Sequence, residues 1–171
     1  GEVIEQSLKI EKDPRLENTD KDYRDQFDFL INVRDQVTRA NSAIIKIREV
    51  QKDLNYLKQK SGLTEEINNL INQFEVKLNH IENNIHMTKN QSRQDPLNYG
   101  IRINNRIAFL LADSQRGDYP PTNQARAFFR EITAELDREM EALEKLLNGS
   151  ISRLNEIVSD NQIGIFSIKS R

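Results

Sequence analysis

Apolar residues recur at intervals of three and four along most of the chain, which is the spacing at which an amphipathic helix buries one face. The first such series predicts a helix over about residues 20–60, with Thr19 or Asp20 suited to cap its start and Gly62 to end it. Its apolar or small positions are Leu30, Val33, Val37, Ala40, Ile44, Ile47, Leu54 and Leu57, and Tyr23 and Phe27 extend the series toward the N-terminus.

Two shorter series occupy the middle of the chain. The second predicts a helix over about 64–89, capped by Thr64, with apolar positions at Ile67, Leu70, Ile71, Phe74, Leu78, Ile81 and Ile85. Asp95 and Pro96 suit the start of a third helix over about 96–115, whose apolar residues are Leu97, Ile103, Ile107, Leu110 and Leu111. Gly100 is expected inside this helix, where it costs about 1 kcal/mol relative to alanine, and close approach of a neighbouring helix would explain it.

The last series predicts a fourth helix over about 122–158, capped by Thr122. Its apolar face comprises Ala125, Phe128, Phe129, Ile132, Leu136, Met140, Leu143, Leu147, Ile151, Leu154 and Ile157. Gly149 is expected to kink this helix or to end it early. The first and fourth helices are thus the two long ones.

These four helices predict an all-α fold, because six glycines and four prolines are too few to punctuate many short strands. Short connections make neighbouring helices antiparallel, so we expect an up-and-down four-helix bundle with two long outer helices. In that topology both chain ends meet at one end of the bundle. Residues 3–10 and 163–168 are strand-like, and we expect them to pair there.

The chain divides into three predicted parts. Residues 1–15 are expected to be a strand and a stiff linker from a preceding β domain, because Asp13, Pro14 and Arg15 favour an extended backbone. Residues 16–160 form the helical bundle, and residues 161–171 form a C-terminal tail that either stays irregular or adds a short strand.

Composition narrows the classes of function. The chain carries 25 basic and 27 acidic residues, interleaved along its length, so we expect no nucleic-acid partner. No apolar run approaches the roughly 18 residues of a membrane span. The absence of cysteine excludes disulfides and thiolate metal sites.

Candidate chemical groups have simpler explanations in this sequence. His80 and His86 are six residues apart, whereas two metal ligands on one helix face need a spacing of about three or four. The carboxylates at Glu135, Glu139, Glu141 and Glu144 are expected to be solvated and paired along the helix. We therefore predict no catalytic, cofactor-binding or metal-binding residues and no enzymatic activity in this chain.

The tripeptide Arg116-Gly117-Asp118 matches an integrin-binding motif and lies on a predicted loop. Glycine and aspartate followed by two prolines are also ordinary turn residues, and we favour that interpretation. The sequence leaves a role in adhesion open.

Three turn and cap segments resemble a family of secreted bacterial proteins, known as sortilin-like or BNR-repeat glycosyl-hydrolase-like proteins. They are residues 8–15 (LKIEKDPR), 94–102 (QDPLNYGIR) and 117–124 (GDYPPTNQ). The similarity spans about residues 8–158, and the tail beyond it matches nothing in the family.

The resemblance implies a bacterial protein that is secreted, periplasmic or held at the cell surface. It also implies a β-propeller and a small β-sandwich before the helical region, with any activity in the propeller. We expect this chain to be a non-catalytic accessory bundle that acts in domain packing or protein interaction. The alternative is an independent ligand- or glycan-binding module that uses an inter-helix groove or the loops near 90–96 and 115–122. The ligand, the partner surface and the oligomeric state stay open.

Overall fold

A computed structural model describes residues 3–161 of the chain, and all its regular structure is helical. The α-helices are α1 (Asp20–Lys58), α2 (Glu65–Ile85), α3 (Pro96–Tyr99), α4 (Ile103–Ser114), α5 (Asn123–Lys145) and α6 (Ser152–Asp160), with a π-helical segment (Leu146–Ile151) between α5 and α6. The predicted all-α bundle is confirmed.

Threonine caps set the start of three helices, as the sequence predicts. Thr19 and Asp22 form a reciprocal capping box, in which the Thr19 amide donates to Asp22 Oδ2 at 2.8 Å. The Thr64 and Thr122 hydroxyls accept from the third following amide at 3.3 Å and 3.0 Å. These bonds satisfy amide donors that the helices leave unpaired.

The contacts along α1 show that α2 and α4 follow one another beside it. Lys58 near the end of α1 pairs with Glu75 of α2, and Arg48 in the middle of α1 pairs with Glu82. The side chain of Gln26, near the start of α1, donates to the Ser114 carbonyl at the end of α4 at 3.1 Å. Both shorter helices therefore run antiparallel to α1, in the same direction as each other.

Helix α5 runs parallel to α1 and antiparallel to the other two. The rings of Phe29 in α1 and Phe129 in α5 are 5.4 Å apart, and further along Arg39 pairs with Asp137. The described helices thus form three rods: α1; α2 followed by α4; and α5 with the π segment and α6. The expected order of four alternating helices differs from this layout, because the second rod is interrupted rather than folded back.

The predicted third helix over 96–115 is wrong in its first half. Gly100 has φ 74° and ψ 178°, so it ends the single turn of α3 instead of lying inside a helix. Helix α4 begins only at Ile103, and Leu97 is 88% exposed rather than in the core. The preceding helix also ends early, at Ile85 instead of near residue 89, because the backbone of His86 is extended.

The core follows the predicted apolar faces with one clear error near the start of α1. Phe29 is 5% exposed whereas Phe27 is 63% exposed, so Phe27 does not extend the apolar face. Phe29 precedes Val33 by four residues and shares its face, while a separation of six turns Phe27 away from it. The largest fully buried side chains are Ile47, Leu54, Leu57, Ile67, Ile71, Leu78, Ile85, Ile107, Ile132, Leu136, Ile151 and Leu154.

Gly149 lies in the π-helical segment, which interrupts the α-helical hydrogen bonding of the last rod. The sequence predicts a kink or an early end at this position. The rod continues through it into α6 and ends at Asp160, near the predicted residue 158. The wider π turn accommodates an extra residue, and the consecutive Leu146 and Leu147 are both buried.

The described part of the N-terminal segment, from residue 3 onward, forms no strand. Residues 3–13 have no regular secondary structure, and Val3, Ile4, Leu8 and Ile10 are 82–89% exposed. The expected strand at 163–168 lies outside the described residues, so its pairing with 3–10 stays a prediction. The proposed domain divisions at residues 15 and 160 also stay predictions.

Candidate functional site

The two histidines each contact an amide side chain. His80 Nε2 lies 3.3 Å from Asn84 Nδ2, and His86 Nδ1 lies 3.2 Å from Asn104 Nδ2. Within residues 3–161, no group of three or more histidines and carboxylates is arranged to hold a metal ion. His80 lies where α2 faces α5 and the π segment, and His86 lies where the second rod faces α1.

The glutamates of α5 connect helices more than the sequence suggests. Glu135 accepts from Arg106 of α4 at 2.6 Å, and Glu139 accepts from Asn84 of α2 at 3.0 Å. Among the described residues, Glu141, 3.9 Å from Lys145, is the one of the four glutamates that forms the expected pair within one helix. The spacing of apolar residues does not distinguish glutamates that pair within one helix from glutamates that bond to another helix. Long polar side chains at the edge of an apolar face can reach the neighbouring helix.

A polar groove of about 640 Å³ lies between α1 and α2. The deepest charged group there is Glu82, which is 5% exposed and was missed by sequence analysis. Its carboxylate accepts from Arg48 at 2.8 Å and from Gln51 at 3.2 Å. Asn55, Glu75, Asn79, Asn83 and Thr88 complete the lining, so the groove is rich in amide donors and acceptors.

An apolar groove of about 520 Å³ runs between α2 and the π segment. Val76 and Ile81 line one side, and Ala142 and Leu146 line the other. Lys77, His80, Lys145 and Ser150 complete its lining.

A third, smaller cleft of about 230 Å³ lies where α2 ends, α4 begins and α5 passes. Asn84 lines it together with three arginines and two glutamates. The charged residues are Arg102, Arg106, Arg138, Glu135 and Glu139. The Nε atom of Arg102 is buried and has no hydrogen-bond partner among the described protein atoms.

The loop between α2 and α3 is held by Asp95. Its carboxylate accepts from the Gln91 and Ser92 amides and from the Ser92 hydroxyl, the last two at 2.7 Å and 2.8 Å. These bonds, the one from Gln91 above all, hold the pKa of Asp95 below its ordinary value. Asp95 therefore folds the preceding loop and does not cap α3 with its side chain, contrary to expectation.

The Arg116-Gly117-Asp118 tripeptide lies on the exposed loop between α4 and α5, as predicted. Gly117 has φ 73°, and its carbonyl accepts from Gln26 at 2.8 Å. The Asp118 carbonyl accepts from the side chain of Asn18. The loop backbone is thus fastened to the start of α1, which is a structural use of the turn, and adhesion stays untested.

One group of exposed apolar side chains lies at this same end of the bundle, and a second, Leu97, Tyr99 and Ile101, lies in and after α3. Phe27 of α1 is 63% exposed, Phe109 of α4 is 66% exposed, and Tyr119 of the following loop is 67% exposed. The N-terminal segment leads into this end, and its four apolar residues between 3 and 10 are more exposed still.

No helix in the described part of the chain is long and apolar enough to cross a membrane. Comparison with protein-family models, with curated proteins and with solved structures finds no match to this chain.

Proposed function

We propose that this chain is a non-catalytic accessory helical bundle of a larger secreted bacterial protein, and that it acts by packing against a preceding β domain. The family resemblance of residues 8–15, 94–102 and 117–124 suggests a β-propeller or β-sandwich of a sortilin-like or glycosyl-hydrolase-like protein as that neighbour. Secretion, and location in the periplasm or at the cell surface, are part of the same proposal.

The observation that carries the proposal is the uneven distribution of exposed apolar side chains. Of the thirteen large hydrophobic side chains exposed in the described residues, seven belong to the N-terminal segment or to the bundle end that it enters. Of the other six, Leu97, Tyr99 and Ile101 form a smaller group in and after α3, whereas Ile45, Tyr56 and Val76 are spread along α1 and α2, as is normal on a protein surface. A concentration at one end is typical of a surface that another domain covers.

Covering the exposed rings at this end would stabilise such packing. Burial of one phenylalanine side chain contributes about 1.5–3 kcal/mol, so Phe27 and Phe109 together would stabilise a domain interface measurably. The backbone there is firmly held, because the Gln26 side chain donates to the Ser114 carbonyl at the end of α4 at 3.1 Å and to the Gly117 carbonyl of the following loop at 2.8 Å. A rigid surface loses little conformational entropy when a partner docks.

The charged groups favour a structural role over catalysis. Glu82, Glu135 and Glu139 each bond a side chain of another helix. Carboxylates that serve in glycoside hydrolysis instead face one another across a cleft at a fixed separation. In this chain the same residue type links the rods.

The test compares the isolated bundle with the longer polypeptide that contains it. We expect Phe27→Ser combined with Phe109→Ser to leave the thermal unfolding of the isolated bundle nearly unchanged. In the longer polypeptide, the same pair should lower the unfolding temperature of the bundle. Ile45→Ser and Val76→Ser, at exposed positions away from that end of the bundle, provide the matched control. Equal effects of the two pairs, or the absence of a β domain upstream, would overturn the proposal.

The alternative is an independent ligand- or glycan-binding module, and the polar groove between α1 and α2 favours it. Five of its lining residues are amides or a hydroxyl: Gln51, Asn55, Asn79, Asn83 and Thr88. Such groups donate and accept hydrogen bonds in fixed directions, as recognition of a neutral polar ligand requires. Binding of the isolated bundle to a glycan array, lost on Asn79→Ala but retained on Asn105→Ala, would support this function.

A further inference from the structure

The cleft at the junction of α2, α4 and α5 has an unbalanced set of charges. Arg106 is already paired, because it donates to Glu135 at 2.6 Å and lies 5.3 Å from the ring of Phe128. Glu139 accepts from the neutral amide of Asn84. No carboxylate among the described residues pairs with Arg102 or Arg138. Because three arginines and two glutamates line the cleft, its lining carries a net positive charge.

Arg102 adds a donor without an acceptor. The residue is partly exposed, but its Nε–H is buried and donates no hydrogen bond to a described protein atom. A buried charged donor without a partner is destabilising and is rare in native proteins. The rest of the guanidinium, which lines the cleft, forms no hydrogen bond or ion pair with a described residue, so it is open to an acceptor from outside the chain.

The start of α4 lies at the same place. Arg102 is the N-cap residue and Ile103 the first residue of the helix, and both line the cleft. No side chain caps this twelve-residue helix, so first-turn amides are left to other acceptors. The partial positive charge of a helix N-terminus also favours a negative group.

We propose that this cleft binds a small carboxylate, with Arg102 and Arg138 as the residues that recognise it. A guanidinium presents pairs of N–H groups, among them its two Nη groups, as planar forks that match the two oxygens of a carboxylate. The volume of about 230 Å³ suits a short carboxylate or the acidic end of a larger ligand, and is below the range usual for drug-sized molecules. This inference is independent of the proposed packing function.

The experiment follows the Arg102 Nε–Hε resonance of the 171-residue chain by NMR during titration with acetate and with glucuronate, at constant ionic strength. Glucose and chloride are the matched neutral and anionic controls. We expect a saturable shift with at least one carboxylate and none with glucose. A response to acetate identifies a free small carboxylate as sufficient, whereas a response to glucuronate alone identifies a sugar acid.

Variants separate recognition from general charge. Arg102→Gln and Arg138→Gln should each weaken carboxylate binding by about tenfold or more, since each removes a charged hydrogen bond. Arg153→Gln, at an exposed position on α6, should leave binding unchanged. Arg102→Lys keeps the charge without the fork and should also weaken binding, provided circular dichroism shows a folded chain. Equal weakening in Arg153→Gln, a response to chloride as large as that to acetate, or no saturable shift with either carboxylate would overturn the proposal.

Discussion

Arg48 Nε lies 2.8 Å from Oε1 of Glu82, and this contact joins the middle of α1 to the end of α2. The two side chains differ strongly in exposure, with Arg48 at 56% and Glu82 at 6%. The carboxylate is thus the group that has lost water, and Arg48 together with Gln51 replaces that water. Replacing Arg48 therefore affects stability through the partner that it leaves behind.

We predict that Arg48→Met lowers the free energy of unfolding by about 1–2 kcal/mol, because Glu82 loses a charged donor but keeps Gln51. The effect should be smaller than for a pair that is buried on both sides, since Arg48 is largely solvated. Arg34→Met is the control, because its exposed pair with the adjacent Asp35 should contribute almost nothing. Urea unfolding of the three proteins measures the difference, and equal values for both variants would contradict this account.

Two consecutive isoleucines test the position of the core. Ile44 is 6% exposed and Ile45 is 60% exposed. Ile44→Ala should lower the free energy of unfolding by about 2–5 kcal/mol, because it leaves a cavity between the rods, and Leu136→Ala should behave alike. Ile45→Ala should change it by no more than about 0.5 kcal/mol. Denaturant titration distinguishes these outcomes, and a larger loss at Ile45 would place the wrong face of α1 inward.

Two glycines should respond to alanine in opposite directions. Gly100 has φ 74°, so Gly100→Ala should destabilise the protein by about 1–2 kcal/mol through backbone strain alone, since an added Cβ meets no atom within 4 Å. Gly149 also has open space around it, but its backbone is helical, so Gly149→Ala should stabilise the protein by up to about 1 kcal/mol. Thermal unfolding measured by circular dichroism checks both signs. A stabilising Gly100→Ala would mean that the predicted unbroken helix over 96–115 forms after all.

The loop before α3 should depend on the ionisation of Asp95. The pKa of Asp95 is held below its ordinary value of 3.8 by the bonds from Gln91 and Ser92. A depressed acid pKa means that the stabilisation is present at neutral pH and is lost as pH falls through the lowered folded-state pKa. We expect the Gln91 and Ser92 amides to stay protected from hydrogen exchange down to a pH below 3.8.

Asp95→Asn should remove that protection even at neutral pH, while Asp53→Asn, at a partly exposed position on α1, should not. Exchange of the Gln91 and Ser92 amides is measured by NMR over a pH series. Protection that is the same in Asp95→Asn and in the original chain would show that the loop is held by other contacts.

Sequence periodicity was sufficient for the helices and most of their buried faces, because each amphipathic stretch is long and each of three starts with a threonine cap. It was insufficient for the interruption of the second rod. A glycine in a helical pattern is compatible either with close helix packing or with a positive φ, and only the tertiary structure selects the second at Gly100.

The candidate clefts were beyond sequence reasoning for a similar reason. Arg102 and Arg106 are near in sequence, but Arg138 joins them only because α5 packs against the break between α2 and α4. Likewise, Glu82 follows the buried Ile81 in sequence, and nothing in the local pattern says that both are covered. Such residues are identified by the packing of the rods and not by spacing within one helix.

Hydrogen exchange of the longer polypeptide, compared with that of the isolated bundle, tests the packing of this bundle against a preceding domain most directly. We predict slower exchange in the longer polypeptide for peptides from 3–12, 22–30 and 106–121, which include the exposed Phe27, Phe109 and Tyr119. A peptide from 152–160, in α6, should exchange at the same rate in both. Equal exchange at all four segments, or slower exchange confined to α6, would contradict the account.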